Sequence, residues 1–321
     1  MSREDAAFLT LPDGRKLCYH SRGGGPDSLH QIFYLHGVLS CRLEVLGTSE
    51  QVLQDLKARL IGVDRPGYGQ SDPHPERTAQ TCCQDLICLA DSLGIDRFYV
   101  VGCSGGGPYA WSTLHHLGSR VLGLLTLSGA GPSGMLTGEE RLRLHEGHEP
   151  GGLPEFTRTM VRNILSSRTA LWWVHTLAGA NLIYRWLQQL MANVLDKMAP
   201  VDAACIKSMH PEYQPQIVAQ ALAQKPAAAA ALLEDLAIGM ATWPWDLTKL
   251  PHEQTRNIHI WHGHGDKQVP VVFSEAYHRL IPSSKLHIID NGGHFAYYMG
   301  STYTQRLALS QLIAGASRSA I

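Results

Sequence analysis

Short apolar runs and amphipathic segments alternate along the first 133 residues of the chain. The apolar runs have the length of strands, and the segments between them have helical spacing. The predicted strands are Lys16–Tyr19, Gln31–Leu35, Leu60–Val63, Phe98–Val101 and Val121–Leu127, and the predicted helices are Thr78–Leu93 and Gly105–Leu117. Continuous apolar strands that alternate with helices are typical of a mostly parallel sheet covered by helices on both faces.

The pattern changes after Gly134 and returns near residue 251. Helical spacing without any strand-length run predicts the helices Phe156–Leu165, Leu171–Met198 and Ala227–Met240. The alternation then resumes with strands Ile258–Trp261 and Leu286–Ile289 and helices Val271–Leu280 and Thr302–Ile313. We therefore predict an α/β core formed by residues 1–133 and 251–321, with an inserted all-helical cap at 134–250.

Composition and charge exclude several classes of protein. The 321 residues are 44% hydrophobic and 17% charged, with a net charge of −1. The apolar fraction excludes a disordered chain, and the lack of basic excess gives nucleic-acid binding no electrostatic support. The most apolar stretch, 171–187, is interrupted by His175, Asn181 and Arg185, so no membrane span is predicted.

The N-terminus and the cysteines predict a cytoplasmic protein. The first residues lack the apolar segment of a signal peptide. The seven cysteines are an odd number and contain no CxxC pair, so we predict free thiols in a reducing compartment.

The segment Gly102-Cys103-Ser104-Gly105-Gly106 matches the pattern G-x-S-x-G. It lies between a predicted strand and a predicted helix, as that motif requires, since the serine occupies a tight turn with small neighbours. We predict that Ser104 is a nucleophile and that the backbone N–H of Gly105 donates to an oxyanion. The alternative is a glycine-rich turn that holds a phosphate or no ligand, and Cys103 is predicted to pack beneath the turn.

A serine nucleophile needs a base, and the base needs an orienting acid. Asp266 and His294 each follow a predicted strand, in the chain order Ser, Asp, His that this architecture uses. We predict that Asp266 is the acid and His294 the base. The alternative for Asp266 is a helix N-cap.

A second oxyanion donor is predicted in the segment His36-Gly37-Val38, which follows another predicted strand. The backbone N–H of Val38 is the candidate donor, and His36 is interpreted as a structural residue in the turn.

The segment from His262 to Asp266, with His264 between them, is also compatible with zinc binding. Lys267 stands where that zinc motif has a further histidine, and no other ligand cluster appears. We therefore predict no metal and no cofactor.

These motifs together resemble the α/β-hydrolase superfamily, in its branch with a serine nucleophile and a helical cap. The resemblance is carried by the residues 12–15 (PDGR), 36–37 (HG), 64–72 (DRPGYGQSD), the turn at Ser104, Asp266 and 293–294 (GH). One departure is Leu39-Ser40, where that branch often has Pro-Gly. Within the 64–72 block, Asp64 and Arg65 are interpreted as structural residues that satisfy local backbone groups.

The resemblance implies a serine hydrolase that cleaves an ester, lactone or related carbonyl bond of a small hydrophobic molecule through an acyl-enzyme. Serine rather than aspartate at position 104 disfavours epoxide hydrolase or dehalogenase chemistry. A non-hydrolytic enzyme for cyclisation, C–C cleavage or acyl transfer and a hydrolase-derived receptor stay open as alternatives.

The resemblance also implies that the cap covers the site and sets substrate choice. Several apolar cap residues are best explained by simple helix packing, and they would give an apolar pocket if some of them line its inner face. They are Leu171, Trp172, Trp173, Leu177, Trp186, Met191 and Met198. The same apolar helices are compatible with a homodimer formed through the cap.

Overall fold

The computed structural model describes residues 6–146, 198–208, 217, 220–240 and 243–317. Its central element is an eight-stranded sheet. The strands are β1 (Ala7–Thr10), β2 (Lys16–Gly23), β3 (His30–Leu35), β4 (Ala58–Val63), β5 (Phe98–Cys103), β6 (Val121–Leu127), β7 (Ile258–Gly263) and β8 (Lys285–Ile289). Their order in the sheet is β1-β2-β4-β3-β5-β6-β7-β8.

Most of the sheet is parallel. β1 pairs antiparallel with β2, and β2 pairs antiparallel with β4. From β4 across to β8 every neighbouring pair is parallel. All residues of β4 and β5 are buried, as expected for strands covered on both faces. The predicted fold class is confirmed.

Helices cover the two faces of the sheet. They are α1 (Glu50–Asp55), α2 (Ala79–Ser92), α3 (Gly107–Leu117), α4 (Gly138–Glu146), α5 (Pro200–Ser208), α6 (Lys225–Met240), α7 (His252–Thr255), α8 (Val272–Leu280), α9 (Ala296–Met299) and α10 (Thr302–Ser317). One core layer holds side chains of α2, α3 and α8, such as Leu89, Trp111 and Tyr277. The other holds side chains of α1 and α10, such as Leu53 and Leu309.

The predicted elements of the core are observed, with shifts of a few residues at their ends. β6 has the predicted bounds, and α2 begins after Thr78, whose side chain forms a reciprocal capping box with Thr81. The sequence analysis missed β1 and α1. β1 has four residues that are only half-buried or exposed, and α1 has six residues, so neither carries a periodic pattern of useful length.

The predicted helix Ala227–Met240 is observed as α6, whose residues 228–233 are buried. The predicted helix Phe156–Leu165 lies outside the described residues, and so does Leu171–Met198 except for its last residue. Outside them too lie the apolar cap residues Leu171, Trp172, Trp173, Leu177, Trp186 and Met191. None of the helices in the described parts of the chain is both long and apolar enough to cross a membrane.

Candidate active site

The turn that carries Ser104 connects β5 to α3. Ser104 has a φ angle of +50°, a left-handed conformation that non-glycine residues adopt rarely. Its neighbours have no room for a side chain. A Cβ at Gly102 would lie 2.6 Å from the Cβ of Ala110, and one at Gly106 would lie 2.0 Å from the carbonyl oxygen of Leu35. The small residues of the motif therefore let the turn sit tightly between the strand and the helix, with Ser104 half-buried.

Asp266 and His294 are in direct contact at the same edge of the sheet. Asp266 follows β7 and His294 follows β8, and the Nδ1 atom of His294 lies 2.7 Å from Oδ2 of Asp266. The other oxygen of Asp266 accepts hydrogen bonds from the backbone N–H groups of Gln268 (2.8 Å) and Val269 (3.0 Å). The carboxylate therefore caps the following turn and orients the imidazole at once, so the two roles predicted as alternatives coexist.

His262 supports the same carboxylate from the buried side. Its Nε2 atom lies 3.1 Å from Oδ2 of Asp266 and 2.8 Å from the carbonyl oxygen of Val269. Its Nδ1 atom lies 2.7 Å from the hydroxyl of Ser274. Because Nε2 faces two acceptors, it carries the proton, and Nδ1 accepts from the Ser274 hydroxyl.

The attraction between Asp266 and His294 shifts their pKa values more strongly than burial does. Burial alone would lower the pKa of His294, but the Asp266 carboxylate raises it above its usual value. Burial alone would raise the pKa of Asp266, but the His294 charge and the hydrogen bond from His262 hold it far below its usual range. Asp266 is therefore ionised, and it favours the imidazolium that forms when His294 accepts a proton.

Asp202, on α5, anchors the backbone around His294. One carboxylate oxygen accepts from the backbone N–H of His294 at 2.6 Å, and the other accepts from those of Phe295 (3.1 Å) and Ala296 (3.0 Å). A Cβ at Gly293 would lie 2.2 Å from this carboxylate, so the close approach needs glycine. The sequence analysis missed Asp202, which looks like an ordinary acidic residue in the first turn of a helix.

The two candidate oxyanion donors lie side by side. A Cβ at Gly105 would lie 3.2 Å from the backbone nitrogen of Val38, and one at Gly37 would lie 3.3 Å from the Cβ of Ser104. Leu39 has a φ angle of +55°. The departure at Leu39-Ser40 thus places a leucine in a conformation that favours glycine, and the loop still reaches the serine turn.

Glu44, in the 3₁₀ turn Arg42–Gly47, also reaches this loop, and the sequence analysis did not single it out. One of its carboxylate oxygens accepts from the N–H of Gly37 at 2.9 Å, and the other accepts from the hydroxyl of Tyr34 at 2.8 Å. The Gly37 N–H is therefore already hydrogen-bonded to a carboxylate. The candidate donor in this loop is the next N–H along the chain, that of Val38, which lies beside Gly105.

The hydrogen bonds of the described residues do not include one between His294 and Ser104. The candidate acid therefore contacts the candidate base, whereas the candidate base is not hydrogen-bonded to the candidate nucleophile. Catalytic hydrogen bonds are often long in proteins without substrate and tighten when it binds.

The zinc interpretation of the segment from His262 to Asp266 lacks a ligand set. His262 is buried against Asp266 and Ser274, whereas His264 is exposed. Among the residues that the structure describes, no cluster of three or more His, Cys, Asp or Glu side chains has the arrangement of a metal site.

Cys103 is buried in the core beneath the serine turn, and burial and the nearby Glu44 raise the pKa of its thiol well above the usual value. A buried, protonated thiol is a packing group rather than a nucleophile.

Within the block 64–72, Asp64 satisfies local groups as predicted, whereas Arg65 also makes a contact with a distant part of the chain. Asp64 accepts from the guanidinium of Arg42 at 2.8 Å and from the backbone N–H of Gln70 at 2.9 Å. Arg65 donates to backbone carbonyl oxygens of the segment 36–39, which carries the candidate donor Val38 and is called the oxyanion loop below. It also binds Asp235 on α6, 170 residues away.

The chain was compared with known protein families and sequences. The family model described as alpha/beta hydrolase fold matches residues 32–301. Epoxide hydrolase 2 of Siraitia grosvenorii is 32% identical over 115 residues, which cover 34% of each chain. The uncharacterized hydrolase YcgS of Bacillus subtilis is 30% identical over 118 residues, which cover 37% of this chain and 39% of that one. The chain thus spans about a third of the length of the curated relatives it matches.

Solved structures match over nearly the whole chain. A thermophilic esterase from Thermogutta terrifontis has a TM-score of 0.66 at 19% identity and covers 97% of this chain and 98% of its own. A hydrolase from Pseudomonas aeruginosa has a TM-score of 0.67 at 15% identity and covers 97% of this chain and 99% of its own. At such identities the likeness is one of fold.

Proposed function

The chain belongs to the alpha/beta hydrolase family, and from this premise we propose that it is a serine hydrolase. Its substrate is an ester, a lactone or a related carbonyl compound of a small hydrophobic molecule. The observation that carries the proposal is the buried Asp266–His294 pair, 2.7 Å apart, at the sheet edge where β5 ends in the strained Ser104 turn.

The first half of the reaction forms an acyl-enzyme. Asp266 holds the Nδ1–H of His294, so Nε2 is the free base that accepts the proton of Ser104 as its Oγ attacks the substrate carbonyl carbon. The N–H groups of Val38 and Gly105 stabilise the oxyanion. The intermediate collapses when His294 returns the proton to the leaving oxygen, and the alcohol departs.

The second half regenerates the enzyme. His294 accepts a proton from water as the water oxygen attacks the ester carbonyl at Ser104. A second oxyanion forms at the same two amides, and its collapse returns the proton to Oγ and releases the carboxylic acid.

The nucleophile decides between carbonyl and epoxide substrates. Attack of Ser104 on an epoxide carbon would leave an ether, which has no carbonyl for water to attack. Attack on an ester gives another ester, which the same residues hydrolyse. Serine at this position therefore favours a carbonyl substrate, although a curated relative is named an epoxide hydrolase.

The surroundings of the oxyanion loop support a hydrophobic substrate. Val38 and Leu39 pack against the apolar face of α6 in a cluster that includes Leu222, Ala228 and Leu232. An apolar wall next to the reacting carbonyl favours an apolar acyl or alkoxy group.

A fluorophosphonate probe tests the activated serine without knowledge of the substrate. We expect wild type to be labelled, and Ser104→Ala and His294→Ala to lose labelling. Ser92→Ala, which removes an exposed serine remote from the turn, is the matched control and keeps full labelling. Folding of each variant is checked by circular dichroism.

The release of free acid from p-nitrophenyl butyrate and from a lactone panel then tests hydrolysis. Labelling at Ser104 together with acid release supports the proposal. Labelling without acid release would favour a non-hydrolytic enzyme, and a folded wild type that takes no label would favour a receptor. Either of these results would overturn the hydrolase assignment.

A further inference from the structure

A buried cluster of charged and aromatic side chains connects α6 to the oxyanion loop. We propose that Arg65, held in place by Asp235, is a positioning residue that polarises the Gly37–Val38 peptide group and so strengthens the Val38 N–H as an oxyanion donor. This inference rests on the proposed function and assigns a role to a residue that does not itself contact the substrate.

The contacts of Arg65 with the loop come from its side chain and its backbone. Its guanidinium donates to the carbonyl oxygen of His36 and, at 3.4 Å, to that of Gly37. Its backbone N–H lies 3.3 Å from Nε2 of His36. Nδ1 of His36 in turn lies 2.8 Å from the carbonyl oxygen of Gly37. That oxygen therefore faces two donors.

The protonation of His36 follows from these contacts. Nε2 faces an N–H donor and accepts, so the proton is on Nδ1 and is donated to the Gly37 carbonyl. Burial and the charge of Arg65 hold the pKa of His36 well below its usual value, which keeps this neutral form. His36 is thus the structural residue that the sequence predicted, with a defined tautomer.

The carbonyl of Gly37 and the N–H of Val38 belong to one peptide group. Donors bound to the carbonyl oxygen draw electron density from the amide nitrogen, and chains of hydrogen bonds strengthen each other by roughly 10–30% per bond. The amide most affected is the one that lies beside Gly105. Arg65 therefore acts on the oxyanion through the peptide group.

Asp235 holds the guanidinium in this position. Its carboxylate lies 2.5 Å from Nη2 of Arg65 and 2.6 Å from Nη2 of Arg77, and it accepts from the hydroxyls of Tyr68 (2.9 Å) and Tyr109. The ring centroids of the two tyrosines lie 5.2 and 4.7 Å from the Arg65 guanidinium. All five side chains are buried.

The charges in this cluster keep Asp235 ionised. Burial opposes the ionisation of Asp235, but the two guanidinium groups outweigh it and lower its pKa to about 2. Arg77 also forms an ion pair with the partly exposed Glu234, 3.4 Å away. Asp235 is therefore a fixed, buried anion that holds the Arg65 guanidinium beside the loop.

Arg65 and Arg77 form a matched pair for a test. Both are buried and both bind Asp235, but the other hydrogen bonds of Arg77 go to Glu234 and to the carbonyl oxygen of Ala231, both on α6, and none of these bonds reaches His36 or Gly37. We therefore compare Arg65→Lys with Arg77→Lys, using p-nitrophenyl butyrate as the substrate probe.

We expect Arg65→Lys to lower kcat by about 10- to 100-fold, less than the 10²–10³ lost with a whole oxyanion donor. Its KM should change by less than about threefold, since the lost interaction acts on the transition state. Arg77→Lys should keep kcat within about threefold. Thermal unfolding shows how far each variant is destabilised.

A second readout reports the oxyanion directly. A trifluoromethyl ketone adds to an activated serine as an anionic hemiketal, whereas the matched methyl ketone stays mostly neutral. The ratio measured is the inhibition constant of the methyl ketone divided by that of the trifluoromethyl ketone. This ratio should fall in Arg65→Lys by the same factor as kcat, because the anionic adduct loses stabilisation, and it should stay constant in Arg77→Lys. If Arg65→Lys does not fold, Asp235→Asn, which frees Arg65 without removing it, should show the same coupled loss on a smaller scale.

The outcomes separate this inference from the proposed function. An active wild type with equal losses in the two lysine variants, or with an unchanged inhibitor ratio in the Arg65 variant, overturns the inference alone. A wild type that takes no label and cleaves no ester overturns the proposed function and the inference with it.

Discussion

His294 lies within reach of three carboxylates, and their combined charge defines its chemistry. Burial disfavours its imidazolium, but Asp266, Asp202 and Glu44 favour it, in that order of strength. These carboxylates favour protonation of His294, as its proposed role as the base requires. In the proposed mechanism the oxyanion is stabilised separately, by the N–H groups of Val38 and Gly105.

The pH dependence of the proposed activity follows from the raised pKa of His294. Protonated His294 cannot accept the proton of Ser104, so kcat/KM should rise with pH through a pKa that lies above the usual 6.5. Asp266→Asn removes the largest favourable charge, so the rise should move to lower pH and the plateau should fall about 10⁴-fold. The pH profile of p-nitrophenyl butyrate hydrolysis measures both effects.

Asp290→Asn is the matched control for this experiment, because Asp290 is an exposed aspartate in the turn that follows β8. Its pH profile should coincide with that of wild type. A rise that stays in place in Asp266→Asn would show that a group other than His294 limits the rate.

Elements far apart in the chain hold the residues around the candidate site. α5 contributes Asp202, which receives the first amides of α9, so a carboxylate meets the positive end of that helical turn. The backbone of His294, in the segment after β8, is thus held by a residue 92 positions earlier. α6 contributes Asp235, which binds the guanidinium of Arg65.

Asp202→Ala tests the first of these anchors. The loss of hydrogen bonds to a buried carboxylate should lower the free energy of unfolding by about 3 kcal/mol. The folded fraction should also lose about 10- to 100-fold in kcat, because small displacements of a catalytic group are costly. Urea unfolding and ester hydrolysis measure the two effects.

Asp246→Ala is the control for a capping aspartate without a link to the site. Asp246 caps the turn Leu247–Lys249 through the N–H of Thr248 at 2.9 Å. Its loss should cost about 1 kcal/mol of stability and leave kcat unchanged. Unaltered kcat in Asp202→Ala would mean that its carboxylate only stabilises the fold.

The seven cysteines all lie in the described parts of the chain, and none of them forms a disulfide. Most of them are buried, and burial raises the pKa of each thiol, in Cys18 and Cys82 to about 12. Localisation and the homodimer through the cap stay predictions.

Thiol titration with DTNB tests this description. Cys82 and Cys88 are both half-buried, but burial raises the pKa of Cys82 to about 12, so Cys88 should react first in the native protein. The five buried thiols should react only on unfolding in guanidinium, to a total of seven. Cys88→Ser should remove the early phase. A reducing agent should leave the unfolding midpoint unchanged, and a lowered midpoint would reveal a disulfide in solution.

Local patterns were sufficient for the parallel core and for the serine turn. The runs that became β3 to β7 are buried almost throughout, and the glycines around Ser104 are required by close contacts of the strand–turn–helix unit. Asp266 and His294 were found because a parallel sheet brings the ends of its strands to one edge, so chain order and strand ends predict proximity. β1 was not predicted because its four residues, each half-buried or exposed, are too few to show a hydrophobic pattern.

Asp202, Glu44 and the Arg65–Asp235 contact were decided only by the tertiary structure. In the sequence each is an ordinary charged residue in a helix, a turn or a loop, and such residues are mostly solvated. Their roles arise because folding removes them from water, and a buried charge must then find a partner however distant it is in the chain. The local sequence thus determined which groups are available for the chemistry, and long-range burial determined which groups hold them in place.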